Sequence, residues 1–217
     1  LTCFSQGEKH GYTKDSAREP LASYFYDHKH RVARNQHAVA RNRTLAALAL
    51  NYPAPDSLPD FGIQASAASA LSLKTPYIVG LHGTSRDSKL WPTDHWISLG
   101  RELARQQLNL ILPWASSAEL QRAQRIASAL TNATVLPKQS ISQLAAIISQ
   151  AQAAIGVDTG LSHLSVALGI PTIAIYTDTN PALTGVYAGA RAPAINLGNI
   201  NETPSPLQVL ETLKKII

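Results

Sequence analysis

One short polar run carries the side chains best suited to chemistry. Residues 158–163 read DTGLSH and supply a carboxylate, hydroxyls and an imidazole. The apolar residues 153–157 before the run are typical of a buried parallel strand, and residues 164–169 after it are predicted to form one small helix. A polar turn after a strand's carboxyl end is where open α/β sheets bind ligands. The run is therefore predicted to hold an anion on backbone N–H groups that have no helical partner.

A second polar segment follows another predicted strand. Residues 82–89 read HGTSRDSK, in which Thr84 and Ser85 offer hydroxyl hydrogen bonds and Lys89 offers a positive charge. This set suits a diphosphate, although an ordinary hydrophilic loop has the same composition. Trp91, just beyond the segment, is predicted to lie in the core rather than to stack on a ligand.

Individual residues in these turns have alternative interpretations. Gly160 lets a phosphate approach the backbone closely, beside the N–H of Thr159. Asp158 either accepts from a sugar hydroxyl or caps the following helix. His163 either donates to phosphate or is a half-buried histidine. Glu119, at the start of a predicted helix, either binds both hydroxyls of a ribose or is a favourable first-turn charge.

Strands and helices alternate from residue 75 onward, and this pattern must position those side chains. Alternation predicts an α/β fold with a Rossmann-like parallel sheet and helices on both faces. Right-handed crossovers then place the carboxyl ends of the strands along one edge. The strands are predicted at 77–81, 108–112, 134–136, 153–157, 171–176 and 194–197, and the helices at 92–107, 117–130, 144–151, 164–169 and 206–217.

The N-terminal part of the chain has a different pattern. Residues 17–28 and 35–50 are predicted to be helical, and prolines at 53, 55 and 59 mark a connector. Residues 66–74, rich in alanine and serine, remain ambiguous between helix and coil.

Composition and charge limit the classes of protein that fit. The 217 residues carry a net charge of +5 and are 45% apolar. An anionic partner fits the basic N-terminal quarter, and a solvated basic face is the alternative. The basic residues of that quarter are Lys9, Lys14, Arg18, Lys29, Arg31, Arg34, Arg41 and Arg43.

Several features are missing from the sequence. The only cysteine, Cys3, excludes an internal disulfide, and no apolar run reaches the roughly 20 residues that span a bilayer. No signal peptide is evident. Methionine is absent, so we expect the sequence to be the C-terminal part of a longer chain. The histidines lack H-x₃-H and H-E-x-x-H spacings, and no Walker or G-x-G-x-x-G motif occurs, so neither a metal nor a cofactor is expected.

Four segments together resemble the lipopolysaccharide heptosyltransferases of glycosyltransferase family 9. They are VDTGLSHL at 157–164, TSRDSKLWP at 84–92, LPW at 112–114 and AREPLAS at 17–23. The last segment points to members that add the first heptose. The resemblance implies a GT-B architecture of two Rossmann-like domains. Residues 1–65 would then end the acceptor-binding domain and connect it to the donor-binding domain at 66–217, whose final helix could pack back on the first domain.

The resemblance also implies roles for individual residues. Lys89 and Asp158 would be catalytic. Gln139 departs from the family pattern, because a methionine is expected there against the adenine ring. Donor-binding roles are implied for Thr84, Ser85, Lys89, Glu119, Asp158, Thr159, Gly160 and His163, and acceptor-binding roles for Arg18 and Arg41.

The implied reaction is an inverting, metal-independent transfer of heptose from ADP-heptose to Kdo of the lipopolysaccharide inner core. The implied location is the cytoplasmic face of the inner membrane, with the enzyme peripheral to it. The base would lie in the absent part, so we expect the piece alone to be inactive. Two alternatives remain open, a non-catalytic nucleotide-sugar binding module and a GT-B-like sugar-nucleotide epimerase.

Overall fold

The chain folds into two compact units. The computed structural model describes residue 4, residues 6–65 and residues 71–217. One unit comprises residues 1–57 with 182–184, and the other comprises 58–181 with 185–217. The ambiguous segment at 66–74 falls partly, at 66–70, outside the described residues.

The first unit is built around two short parallel strands. Strands β1 (His10–Tyr12) and β2 (His28–His30) pair in register, and helix α1 spans Ala38–Leu50. The prediction of a helix near 35–50 is thus confirmed.

The predicted helix at 17–28 is wrong. A 3₁₀ helix, Pro20–Phe25, occupies the middle of that segment, and β2 begins at its end. Proline disfavours the α conformation of the residue before it, and Glu19 accordingly has φ −104° and ψ 100°. The helix therefore cannot run through this position.

The second unit is a parallel six-stranded sheet, as predicted. Its strand order is β5-β4-β3-β6-β7-β8. The chain runs from β3 at the centre through β4 to β5 at one edge, crosses back to β6 beside β3, and continues through β7 to β8 at the other edge. The strands are β3 (Tyr77–Leu81), β4 (Asn109–Leu112), β5 (Ala133–Val135), β6 (Ala153–Val157), β7 (Thr172–Tyr176) and β8 (Ala194–Gly198).

Helices cover both faces of this sheet. A 3₁₀ turn at Asp87–Lys89 precedes the first of them. These helices are α2 (Thr93–Arg105), α3 (Ser117–Ser128), α4 (Ile141–Ile148), α5 (Gly160–Ala167) and α7 (Pro206–Ile216), whereas most of the short α6 (Pro181–Thr184) belongs to the first unit.

Strand alternation divides the core into two layers. Ile78 faces a cluster formed with α2, α3 and α7, whereas Tyr77 and Val79 face a cluster formed with α4. Trp96 and Leu99 of α2 are fully buried in the first layer. Burying one such side chain contributes about 2 kcal/mol to the free energy of folding, so the packing on both faces stabilises the sheet.

Two helices begin earlier than predicted. Helix α4 starts at Ile141, because Ser140 and Gln143 form a reciprocal capping box there. Helix α5 starts at Gly160 rather than at residue 164. Residues 160–163 of the DTGLSH run therefore form the first turn of a helix and not a loop.

Candidate functional site

The two polar segments meet where β3 and β6 lie side by side. These strands are neighbours although they are far apart in sequence, and their pairing marks the point at which the strand order reverses. Ligands of open α/β sheets bind in the crevice at that point. The segments after both strands thus reach one cleft, which we call the switch-point cleft.

An ion pair joins the two segments across the cleft. Lys89 Nζ lies 2.7 Å from Asp158 Oδ2, and their side chains are 19% and 16% exposed. The Thr84 hydroxyl donates to the Asp158 carbonyl oxygen at 2.9 Å. Both Lys89 and Thr84 are thereby fixed beside Asp158, while Ser85 is exposed. A positive charge is held in place where an anion would bind.

The N-terminus of α5 opens onto the same place. Thr159 is the N-cap residue, with φ −148° and ψ 155°, and its side chain makes no capping hydrogen bond. The prediction that Asp158 could serve as the cap is therefore wrong. A Cβ added at Gly160 would meet nothing within 4 Å, so there is space above the helix end. The Ser162 N–H donates to the Thr159 carbonyl oxygen at 3.1 Å, whereas the N–H groups before it, at the start of the helix, have no intrahelical acceptor.

The DTGLSH run also contains side chains that stabilise the fold. Ser162 is buried, and its hydroxyl donates to the Val157 carbonyl oxygen at 2.8 Å. This bond ties α5 back onto β6. His163 is exposed on the helix rather than half-buried.

Glu119 has a structural role in addition to its position in the cleft. It completes a capping box with Ser116 at the start of α3, and its Oε2 accepts from the Ala115 N–H at 2.6 Å. A Cβ on Gly83 would lie only 2.6 Å from Glu119 Oε1. The carboxylate therefore lies against the loop after β3, and a larger residue at position 83 would have to displace it.

Two cavities flank Glu119 and Gly83. The first, of about 220 Å³, is also lined by Thr84, Asp87 and Arg122. The second has the same volume and is mainly apolar. Its remaining lining residues are Leu81, His82, Pro113, Trp114, Ala115, Gln139, Ile141, Leu144, Thr159 and Leu161. A flat aromatic ring fits the second cavity better than the first, because its walls are mostly aliphatic and aromatic.

His82 is a site residue to which the sequence reasoning gave no role. It is fully buried, and among the described residues neither ring nitrogen has a partner in good hydrogen-bond geometry, although the Pro113 backbone interacts with the ring. Burial lowers the pKa of His82 from 6.5 to about 4. The ring is thus neutral at pH 7 and borders the apolar cavity with a donor and an acceptor.

Arg122 was also missed. It lies three residues after Glu119 on α3, lines the first cavity, and donates to the Trp91 carbonyl oxygen at 3.3 Å. Burial lowers the pKa of Arg122. The i, i+3 spacing places both side chains on one face of the helix, which was the available signal in the sequence.

Trp91 lies in the core, as predicted. It is fully buried, and its Nε1 donates to the Pro204 carbonyl oxygen at 2.9 Å.

Gln139 lies at the apolar cavity, and its Nε2 donates to the Pro137 carbonyl oxygen at 3.1 Å.

The two arginines expected to bind the acceptor belong to the first unit. The Arg18 side chain is 90% exposed and lies 3.6 Å from Glu19. The Arg41 guanidinium donates to the Ser16 carbonyl oxygen and lies 4.7 Å above the Tyr12 ring. Arg41 is therefore part of the packing of its unit, whereas Arg18 projects into solvent.

A doubly wound parallel sheet whose switch point holds the Lys89–Asp158 ion pair between two cavities defines a Rossmann-like ligand-binding domain. Within that class, a family model described as glycosyltransferase family 9 (heptosyltransferase) matches residues 1–215. The chain belongs to this family.

Curated relatives and a solved structure agree with the family. The lipopolysaccharide heptosyltransferase 1 of Pseudomonas aeruginosa is 43% identical over 189 residues, covering 87% of this chain and 52% of the relative. The Escherichia coli enzyme of the same name is 41% identical over 221 residues, covering 100% and 68%. A structure of E. coli heptosyltransferase WaaC with ADP-2-deoxy-2-fluoro heptose has a TM-score of 0.81 at 36% identity, covering 99% of this chain and 67% of that one. The chain thus spans between half and two thirds of the length of these proteins.

Among the helices of the described residues, none is both long enough and apolar enough to cross a bilayer.

Proposed function

We propose that the switch-point cleft binds ADP-heptose and that the protein transfers heptose to Kdo of the lipopolysaccharide inner core. The observation that carries this proposal is the Lys89–Asp158 ion pair, which joins two polar segments beside two cavities of about 220 Å³ each. Family membership supports it, and the structure of the E. coli heptosyltransferase WaaC was solved with the ADP-heptose analogue ADP-2-deoxy-2-fluoro heptose.

The diphosphate would lie on the N-terminus of α5. Thr159 and Gly160 offer backbone N–H groups there, and the space above Gly160 admits an anion. Thr84, Ser85 and Lys89 would contact the same anion from the loop after β3. Lys89 would exchange part of its contact with the Asp158 carboxylate for phosphate oxygens. His163, exposed on α5, would donate from the side of the sugar.

The nucleoside would extend over Glu119. The Glu119 carboxylate faces Gly83 and would accept from the ribose hydroxyls, while the adenine enters the apolar cavity between Trp114 and Gln139. His82 at the wall of this cavity would hydrogen-bond the base, since neither of its buried ring nitrogens has a partner in good hydrogen-bond geometry among the described residues.

The reaction would be an inverting displacement at the anomeric carbon, with ADP as the leaving group. The acceptor hydroxyl oxygen forms the new bond to the anomeric carbon as the bond from that carbon to the phosphate oxygen breaks. The hydroxyl proton would pass to a base expected outside these 217 residues, and negative charge grows on the departing ADP. Lys89 and the helix terminus stabilise that charge most in the transition state, which is the condition for catalysis. Asp158 keeps the Lys89 ammonium in position. This scheme requires no covalent intermediate and no metal.

The acceptor would be Kdo-lipid A at the cytoplasmic face of the inner membrane, with the protein bound peripherally. Its Kdo carboxylate would meet the exposed Arg18 and, less directly, Arg41. The net charge of +5 favours an anionic membrane surface.

Calorimetric titration tests the donor first. We expect ADP to bind this chain more tightly than UDP or GDP, and Lys89→Ala to weaken ADP binding. Equal affinity for the three nucleotides would reject the adenine cavity.

A transfer assay then tests the activity. Labelled ADP-heptose and Kdo-lipid A are supplied to the chain and to the chain joined to the N-terminal part of the E. coli relative. Transfer by the joined form supports the proposal. Binding of ADP without transfer in either form would indicate a non-catalytic binding module.

A further inference from the structure

A second cluster of chemically active side chains lies in the first unit. It consists of Glu8, His10, His28 and His30, and we call it the histidine cluster. The parallel pairing of β1 with β2 sets His10 opposite His28. His30 is opposite Tyr12 in the same register. Local spacing did not predict this set, because Glu8 and His10 are far apart in sequence from His28 and His30.

Three of these side chains converge on one point. Glu8 Oε2 lies 3.8 Å from His10 Nε2 and 3.5 Å from His28 Nε2. One ligand atom from each residue lies within 4.8 Å of the other two. The ligand atoms of a tetrahedral ion with bonds of about 2.0–2.2 Å lie roughly 3.3 Å apart. Small side-chain rotations would therefore bring all three into a shared coordination shell.

The fourth member of the cluster orients one of the three. His10 Nδ1 lies 2.9 Å from His30 Nε2, and the rings of His10 and His28 stack at 4.6 Å. In the tautomer with its proton on Nδ1, His10 donates to His30, and the lone pair of its Nε2 faces Glu8. Metal-binding histidines almost always donate a hydrogen bond from the N–H of their other ring nitrogen.

We propose that Glu8, His10 and His28 bind one Zn²⁺ ion, with water as the fourth ligand and His30 as a positioning residue. Two imidazole nitrogens and one carboxylate oxygen suit Zn²⁺. Mg²⁺ and Ca²⁺ prefer oxygen ligands throughout and are not expected to bind. A bound ion would tie the segment before β1 to β2 and stabilise the pairing of these short strands.

The first experiment measures binding by the whole chain. The 217-residue protein, purified without a histidine tag and stripped with chelator, is titrated with ZnCl₂ by calorimetry at pH 7.5. The same titration is made on Cys3→Ser, which removes the only thiol. We expect one Zn²⁺ per chain in both proteins, and no heat with MgCl₂. Absence of binding, or its loss in Cys3→Ser, would overturn the proposal.

Variants then locate the site. His28→Gln is expected to weaken Zn²⁺ binding at least tenfold, and His28→Cys to restore it, because the thiolate is also a Zn²⁺ ligand. His30→Gln should weaken it less, since it removes only the orienting contact. Lys29→Gln is the matched control, an exposed residue between the two histidines of β2 whose side chain points to the other side of the strand.

A spectroscopic readout separates coordination from a structural effect. Co²⁺ bound in a four-coordinate site gives visible d–d bands, which should be present in the parent and in Lys29→Gln and absent in His28→Gln. Far-UV circular dichroism of the metal-free proteins checks that the fold is retained. Equal affinity of His28→Gln and the parent, or equal loss in Lys29→Gln, would show that the ion binds elsewhere.

Discussion

The switch-point cleft and the histidine cluster both gather ionisable groups, but they do so under opposite conditions. In the cleft, Lys89 and Asp158 are less than a fifth exposed and are paired with each other. In the cluster, Glu8 is 77% exposed and faces two histidines. Burying a charge is costly unless it is paired, so the cleft must be organised before its ligand arrives. The cluster tolerates a loose arrangement, because water solvates its groups until a ligand orders them.

Histidine shows the same contrast. His82 in the cleft is fully buried, and its pKa is lowered to about 4 by burial. His28 in the cluster is exposed, with 49% of its side chain accessible. A buried neutral ring is a fixed hydrogen-bonding group, whereas an exposed ring is available to protons and metal ions.

Removing the Lys89 side chain from the cleft should have the largest effect on activity. Lys89→Ala deletes the charge that would stabilise the departing diphosphate, and the loss of one such donor costs about 3 kcal/mol of barrier, roughly two orders of magnitude in turnover. Turnover is measured with saturating ADP-heptose on the chain joined to the N-terminal part of the E. coli relative. Circular dichroism checks that the variant is folded. The exposed Lys138→Ala serves as the control and should retain full turnover. Near-normal turnover of Lys89→Ala would remove Lys89 from the mechanism.

Acid titration sharpens the contrast between the histidines. The folded pKa of His82, about 4, lies below the unfolded value of 6.5, so the unfolded chain binds the proton more readily between these pH values. The free energy of unfolding should therefore fall as the pH drops from 6.5 to 4, by up to about 3 kcal/mol from this group.

Urea unfolding at several pH values isolates this contribution. His82→Phe should flatten the curve over that pH range relative to the parent. Ser128→Ala, which replaces an exposed residue without an ionisable side chain, should leave the slope unchanged. A parallel slope in His82→Phe and the parent would show that His82 is not the group responsible.

A methyl group beneath Glu119 tests how tightly the cleft is organised. In Gly83→Ala the new Cβ would lie 2.6 Å from the Glu119 Cδ atom and would push the carboxylate away from the loop. A lost hydrogen bond to a charged group costs about 1.5 kcal/mol, so the affinity for ADP should fall about tenfold by calorimetry. Ser128 is exposed on α3, the helix that carries Glu119, and Ser128→Ala should bind ADP with the affinity of the parent. Unchanged affinity in Gly83→Ala would argue against a ribose at Glu119.

The smallest effect is expected in the apolar cavity. Gln139→Met replaces a polar side chain by a thioether, whose contact with an aromatic ring is worth about 0.3–1.5 kcal/mol. ADP should bind a few times more tightly, as measured by the same titration, and UDP should gain less. A weaker ADP complex would place the adenine away from Gln139.

Strong apolar runs predicted the sheet well. Strands Tyr77–Leu81 and Ala153–Val157 have the predicted bounds, because each is buried throughout and is bounded by polar loops. Since both are parallel, the prediction that their carboxyl ends share an edge followed from chain topology alone. The meeting of Lys89 with Asp158 agrees with that reasoning.

Short-range signals were less reliable. The polar start of α5 resembled a loop, because Gly160 and Ser162 are weak helix formers and the N-cap Thr159 makes no capping hydrogen bond. Strands β1 and β2, with sequences HGY and HKH, have no apolar alternation, so nothing in the sequence predicted their pairing. The histidine cluster was missed for that reason, since it depends on contacts between residues far apart in the chain.

The last helix has a consequence for how the protein is made. Val209, Leu210 and Leu213 of α7 belong to the same core as Trp96, and Trp91 donates to Pro204 just before that helix. During translation α2 and α3 can cover only part of this face of the sheet until these residues have emerged from the ribosome. The core around Trp91 and Trp96 is incomplete throughout that interval, so we expect the nascent chain to depend on holding factors that shield apolar surface until synthesis has passed Leu213.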